Sequence, residues 1–261
     1  MIAFVRALSP RLERCELSFL ERIKIDGERA RRQHQGYVGV LEELGCEVHW
    51  LAPLPEHADG VFVEDTAVVV PQLTVITRPG AASRRDEVDS VATTLAAHAP
   101  VARVRAPGTL EGGDVLQIGR SFFVGNSARS NADGVAQLAA ALAPLGYRVC
   151  AVPMQGCLHL KSAVTFIPPD VLLVNPQWVD PAAFGAGRVV TVDPREPFGA
   201  NTLTLGGVTL VSADYPATQA RLAAAGVNTR VLDVGELHKA EAALTCMSLI
   251  LEPAQPSGVH A

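Results

Sequence analysis

Cys246, His159 and Glu111 are a thiol, an imidazole and a carboxylate. These side-chain types can together attack a carbon, carry a proton and orient the proton carrier. A thiol needs a base or a cation beside it to become a thiolate at neutral pH, so a cysteine and a histidine sharing a cavity have a chemical reason to be together. Carboxylates have a further use there, because they pair with a planar guanidinium through bidentate hydrogen bonds that an ammonium cannot match. Asp65, preceded by Glu64, and Glu111, opening the run Glu111–Gly112–Gly113–Asp114, are acids of this kind. Each residue also has a bland alternative. A cysteine amid apolar residues is usually inert core, a histidine between leucines is often a hydrogen-bonded core residue, and an acidic turn often faces water. Spacing argues for the sharper reading. Asp65, Glu111, His159, Asn201 and Cys246 follow one another at intervals of about 45 residues, inside the 20 to 50 range of repeat architectures.

The elements that must position these residues show the same period. After Asp65 come apolar runs at 66–70 and 73–77, a helical stretch at 85–98 and another strand at 101–105. After Glu111 the order returns as strands at 115–118 and 121–124, a helix at 131–145 and a strand at 147–152. The third unit reads as 163–167, 171–174, a short helix near 181–184 and 189–192. The fourth reads as 203–205, a Gly206–Gly207 turn, 208–211, a helix at 215–225 and 229–234. Runs of four to six apolar residues are strand-like, the face made by Val135, Leu138, Leu142 and Leu145 is helical, and adjacent glycines between apolar runs signal a hairpin. A fifth unit is split across the chain, with strands at 245–251 and 2–5, a helix at 28–44 and a strand at 47–51. Because this unit uses both ends of the chain, a closed ring of five ββαβ-like units in one catalytic domain, 1–261, is expected rather than an open solenoid. Closure would bring the residue opening each unit to one central cavity. An ordinary α/β sheet explains the elements equally well but not the recurring polar position.

Composition narrows the class. Hydrophobic residues make up 48% and charged residues 19%, a globular balance. The 22 Lys and Arg against 27 Asp and Glu give a net charge of -5, and no basic block suggests a nucleic-acid footprint. No apolar run reaches the length of a membrane span, and the first ten residues lack a signal-peptide core. Five cysteines without a CxxC pair favour a reducing cytoplasm over a disulfide framework. His34, His49, His57, His98, His238 and His260 form no HxH or HExxH spacing, which gives a zinc hydrolase little support. His238 is the main competitor for the base, although Glu236–Leu237–His238–Lys239 reads as solvated helix or loop.

Five motifs carry a resemblance across nearly the whole chain. They are Val61–Phe62–Val63–Glu64–Asp65–Thr66, Arg78–Pro79–Gly80–Ala81 with Ser83–Arg84–Arg85, Leu110–Glu111–Gly112–Gly113–Asp114–Val115, Cys157–Leu158–His159–Leu160–Lys161–Ser162, and Leu244–Thr245–Cys246–Met247–Ser248–Leu249. In order and spacing the chain resembles the dimethylargininases of the guanidine-modifying superfamily, which also holds arginine deiminases and amidinotransferases. The resemblance implies an α/β fold, a five-bladed αβ propeller with pseudo-fivefold symmetry, and hydrolysis of N-omega-methylated arginine to citrulline and an amine without metal or cofactor. Residue by residue, it implies that Cys246 is the nucleophile, His159 the general acid and base, and Glu111 their carboxylate partner. Asp65 and Asp59 would grip the guanidinium or the amino end, Arg84 and Arg129 the α-carboxylate, with Arg85 as the alternative to Arg84. Asp114 would help hold the guanidinium. Leu17 would act from the loop around residues 9–19, which resembles the family's lid.

The chain departs from the family at Ala242–Ala243, where many relatives have two glycines, and each methyl narrows the backbone's choices beside the nucleophile. Deimination of another guanidine, amidino transfer and guanidine binding without turnover stay open. The expected partner is a small guanidino amino acid, and a homodimer is the assembly carried forward.

Overall fold

The computed structural model describes residues 1–185 and 187–252. His260 lies outside them. Five three-stranded sheets stand in a ring, and each is built alike: an antiparallel pair, then a third strand that returns parallel to the second. In the first, Ala67–Val70 pairs with Leu73–Ile76, and Val101–Arg103 lies parallel to the latter after the helix Val88–Leu95. The second uses Val115–Ile118, Ser121–Asn126 and Arg148–Pro153 around the helix Ala132–Leu142. The split unit closes as expected, with Leu249–Leu251 against Ile2–Val5 and Glu47–Trp50 beside it after the helix Gly27–Glu43.

Local chemistry explains the joints. Asp26 and Asn131 cap their helices by accepting from Arg29 N and Gly134 N. Gly206 and Gly207, at φ of +55° and +78°, make the tight turn between Leu205 and Val208 that a side chain would strain.

Closure is visible in the packing. Five apolar clusters lie between neighbouring sheets, and each draws from two of them. Phe4 and Leu249 pack with Ile76 and Leu95, Val75 with Phe122 and Leu138, and Phe123 with Leu160 and Leu172. Leu173 packs with Val211 and Leu222, and Leu210 with Val5 and Leu41, which completes the circuit. The five-bladed αβ propeller expected from the sequence is therefore the observed architecture.

Two expectations change. The stretch near 181–184 is a 3-10 turn, Pro181–Phe184, capped by Asp180 and ended by Gly185 at φ +55°, rather than an α-helix. The strand expected over 245–251 spans only Leu249–Leu251. Residues 244–247 are a turn instead, with Cys246 N donating to Ala243 O, so the thiol rides a bend and not a flat strand.

Candidate active site

The residues singled out by phase sit on the short turns that open each unit. Asp65 belongs to the 3-10 turn Val63–Thr66, His159 caps the helical turn Leu160–Ala163, and Glu111 precedes the turn Gly112–Asp114. The two glycines of that run permit close approach. A side-chain carbon on Gly112 would lie 1.9 Å from Glu64 O, and one on Gly113 would lie 2.6 Å from His159 Nδ1.

Asp59, Asp65, Arg84, Arg129, His159 and Cys246 line one small cavity, together with Glu16, Phe62, Leu158, Ala240, Glu241 and Ala242. Behind this wall His159 Nε2 meets Glu111 Oε2 at 2.7 Å and lies 3.8 Å from Asp65 Oδ1. Glu111 is fully buried, and its other oxygen accepts from Gly80 N at 3.0 Å and from Arg129 Nη1 at 3.5 Å. Asp65 Oδ1 accepts from Gly113 N at 2.9 Å, and its Oδ2 pairs with Arg84 Nη1 at 2.6 Å.

These pairings set the charges. Burial alone would push His159 down, but Asp65, the Glu111 hydrogen bond and Asp114 outweigh it and raise the imidazole to about 9. Burial likewise opposes ionisation of Asp65, yet His159 and Arg84 hold its carboxyl at about 2. Cys246 goes the other way. Burial, Glu64 and Asp65 push its thiol up to about 12, against small opposing effects of Ala243 N and Lys161. Burial also lifts Asp59, to about 6. The resting site thus pairs an imidazolium with a neutral thiol among carboxylates. Asp65, Glu111 and His159 present atoms close enough together to hold a metal ion, although Arg84 and the imidazolium already supply positive charge to that cluster.

Several expected residues take places other than those implied. Asp114 does not reach the cavity. Its Oδ1 accepts from Leu160 N at 3.0 Å, and its Oδ2 from Ser127 Oγ at 2.5 Å and Ser130 Oγ at 2.7 Å. A buried carboxylate with three donors ties the His159 turn to the Arg129 loop. Leu17 is half-buried and packs against the cluster containing Leu12 and Leu237. Arg84 faces the cavity, whereas Arg85 donates to Pro79 O outside it. Arg84 is heavily committed to Asp65 and to Glu87 at 2.9 Å, so Arg129, with looser contacts to Glu111 and Ser18 Oγ, is the freer cation. His238 lines a neighbouring cavity and not that of Cys246, and it is paired with Asp214 at 2.7 Å and stacked on Tyr215. Neither Ala242 nor Ala243 takes a positive φ. That torsion falls on Glu241, at +54°.

Glu241 itself escaped sequence reasoning. Its carboxylate accepts from Ser18 N at 3.0 Å and from Phe19 N and Leu20 N at 2.5 Å, so it latches the lid-like loop over the cavity. No spacing signal marks it. Arg6 was also missed: fully buried, it donates to Gly60 O at 2.7 Å and to Ala52 O at 3.1 Å, anchoring the segment that carries Asp59.

A ring of five ββαβ units thus brings a thiol, an imidazole and acids to one cavity. A family model described as N,N dimethylarginine dimethylhydrolase, eukaryotic, matches residues 15–182. The chain is 43% identical to the N(G),N(G)-dimethylarginine dimethylaminohydrolase of Streptomyces coelicolor, over 95% of this chain and 96% of that one. It is 32% identical to the enzyme of the same name from Pseudomonas aeruginosa, over 87% and 90%. A solved structure of the Pseudomonas aeruginosa protein, a cysteine-to-serine mutant complexed with citrulline, superposes with a TM-score of 0.90 at 30% identity, over 95% and 97% of the two chains. An arginine dihydrolase domain from cyanobacteria, 19% identical with a TM-score of 0.83, shares the fold. The chain belongs to the dimethylarginine dimethylaminohydrolase family.

Proposed function

We propose that the chain hydrolyses N-omega-methylated arginine, as asymmetric dimethylarginine or monomethylarginine, to citrulline and dimethylamine or methylamine. The observation that carries this reading is the shared cavity of Cys246 and His159, walled by Asp59 and Asp65 and reached by Arg129. Acids at one end and a cation at the other suit a substrate with a guanidinium, an amine and a carboxylate. The surroundings of Cys246 hold it as a thiol until a cation arrives. A bound guanidinium beside the sulfur offsets Glu64 and Asp65, so the thiol proton passes to solvent and the thiolate forms.

The thiolate then forms a C–S bond to the central guanidinium carbon. His159, already an imidazolium, gives its proton to the departing nitrogen as that C–N bond breaks. Neutral imidazole next takes a proton from water, which adds to the thiouronium carbon. As the C–S bond breaks, the sulfur takes up the hydroxyl proton of the adduct, which returns the thiol and releases citrulline. Glu111 orients the imidazole through its 2.7 Å contact and stabilises its charged form. Residues 1–261 act in this reading as one catalytic domain. The five free thiols support residence in a reducing cytoplasm. Among the described residues no helix is long and apolar enough to cross a membrane.

Incubation with asymmetric dimethylarginine, monomethylarginine, arginine and agmatine, followed by product analysis, tests the reading. Citrulline with dimethylamine is expected. Ammonia from arginine would make the chain a deiminase, a new guanidino compound formed with an added amine would make it a transferase, and binding without product would remove the catalytic claim. Light scattering of the purified chain tests the homodimer.

A further inference from the structure

Four of the five units open on a residue with an evident chemical use, namely Asp65, Glu111, His159 and Cys246. The fourth opens on Asn201, which lies outside the Cys246 cavity and lines a neighbouring one with Ser162 and His238. Its amide is nevertheless almost fully used. Asn201 Oδ1 accepts from Thr245 N at 3.0 Å, and Asn201 Nδ2 donates to Thr245 Oγ1 at 3.0 Å and to Lys161 O at 3.0 Å. The orientation of the amide follows from chemistry, since a backbone N–H can meet only its oxygen and a carbonyl only its nitrogen. Asn201 is itself held, because Thr165 Oγ1 donates to Ala200 O at 2.6 Å and lies 2.7 Å from Thr202 Oγ1.

Thr245 precedes the nucleophile, and Lys161 stands two residues after the imidazole. The circuit continues from Thr245 Oγ1 to Glu64 Oε2 at 2.6 Å, and from Glu64 Oε1 to Lys161 Nζ at 2.5 Å. Asn201, Thr245 and Glu64 are buried, and Lys161 is half-buried. We propose that Asn201 is a positioning residue for catalysis, holding the Cys246 turn in register with the His159 turn by bonding both at once. An aspartate at this place would turn an acceptor toward Lys161 O, and an alanine would leave Thr245 N and Lys161 O unpaired. The inference rests on the proposed thiol chemistry. A misplacement of about 1 Å between reacting groups is enough to cost about a hundredfold in rate.

The test compares Asn201→Ala, Thr245→Val and the double variant with the wild-type chain, turning over asymmetric dimethylarginine, with rates expressed per folded site from the amplitude of each chain's urea unfolding transition. Expected for each single variant is a fall in kcat of about 10- to 100-fold with KM within about twofold, because the substrate-gripping acids and Arg129 are untouched. The double variant should fall no further than the worse single one, and Thr245→Ser should restore what Thr245→Val loses. Unchanged kcat per folded site, a KM rise that accounts for the loss, or multiplicative effects in the double variant would overturn the role. If Asn201→Ala does not fold, the split between Thr245→Val and Thr245→Ser decides alone. A wild-type chain without turnover would instead count against the functional reading. The rate constant for alkylation of Cys246 with iodoacetamide would then decide for Asn201, with a change in both single variants supporting the clamp and identical rates overturning it.

Discussion

Two cysteines of this chain share a pKa near 12 and almost nothing else. Cys157 is packed among Leu116, Leu160 and Leu172, its thiol facing His159 O at 3.4 Å, and burial followed by Asp114 raises it. Cys246 is half-buried on a bend, opens on the cavity, and is raised by burial and by Glu64 and Asp65. A reluctant thiol is therefore not a mark of a nucleophile or of its absence. What distinguishes Cys246 is that it lines a cavity with Asp65, where a cation can enter, whereas Cys157 is buried among apolar side chains.

The largest expected contrast comes from paired substitution. Cys246→Ser should lower citrulline formation by about 10³-fold or more, while Cys157→Ser should stay within about twofold. Equal losses would erase the distinction.

His159→Asn should lower turnover by about 10²- to 10⁴-fold. It also offers a pH measurement with a definite sign. Because the folded imidazole is raised from 6.5 to about 9, the stability it contributes is present in full below about 6.5 and is lost as pH rises through about 9. Urea midpoints of wild type and variant should converge over that window, and a gap that widens with pH would contradict the assigned charge.

A smaller effect is expected from Lys161→Met, which strands Glu64 beside the reactive sulfur. The loss of Glu64's charged partner should cost about 3 kcal/mol in denaturant unfolding and slow iodoacetamide at Cys246 but not at the exposed Cys150. Equal slowing at both thiols would show a general loosening instead. The smallest effect belongs to His238→Asn, expected within about twofold of wild-type turnover, since that ring pairs with Asp214 through Nδ1, stacks on Tyr215 and does not line the Cys246 cavity. A hundredfold loss there would move the proton carrier away from His159.

The amino-acid sequence by itself determined the repeat, the split fifth unit and the kinds of chemistry that recur at one phase. Apolar runs of strand length, glycine turns and capped helices are local signals, and their period of about 45 residues survives without any knowledge of contacts. The helix beginning near residue 131 and the Gly206–Gly207 turn were legible for that reason. Only the tertiary structure decided which edge of each polar group is still free. Asp114 looks as available as Glu111 along the chain, yet the folded ring gives it Leu160 N, Ser127 and Ser130 and turns it from the substrate side. Arg84 and Arg85 are neighbours in sequence, but one faces the cavity and the other does not. Glu241 finds its partners on a loop more than 200 residues earlier, and Asn201 meets Thr245 across a unit boundary. Hydrogen-bond partners of this kind are chosen when the ring closes, because a polar side chain leaving water must take whatever donor or acceptor closure brings beside it.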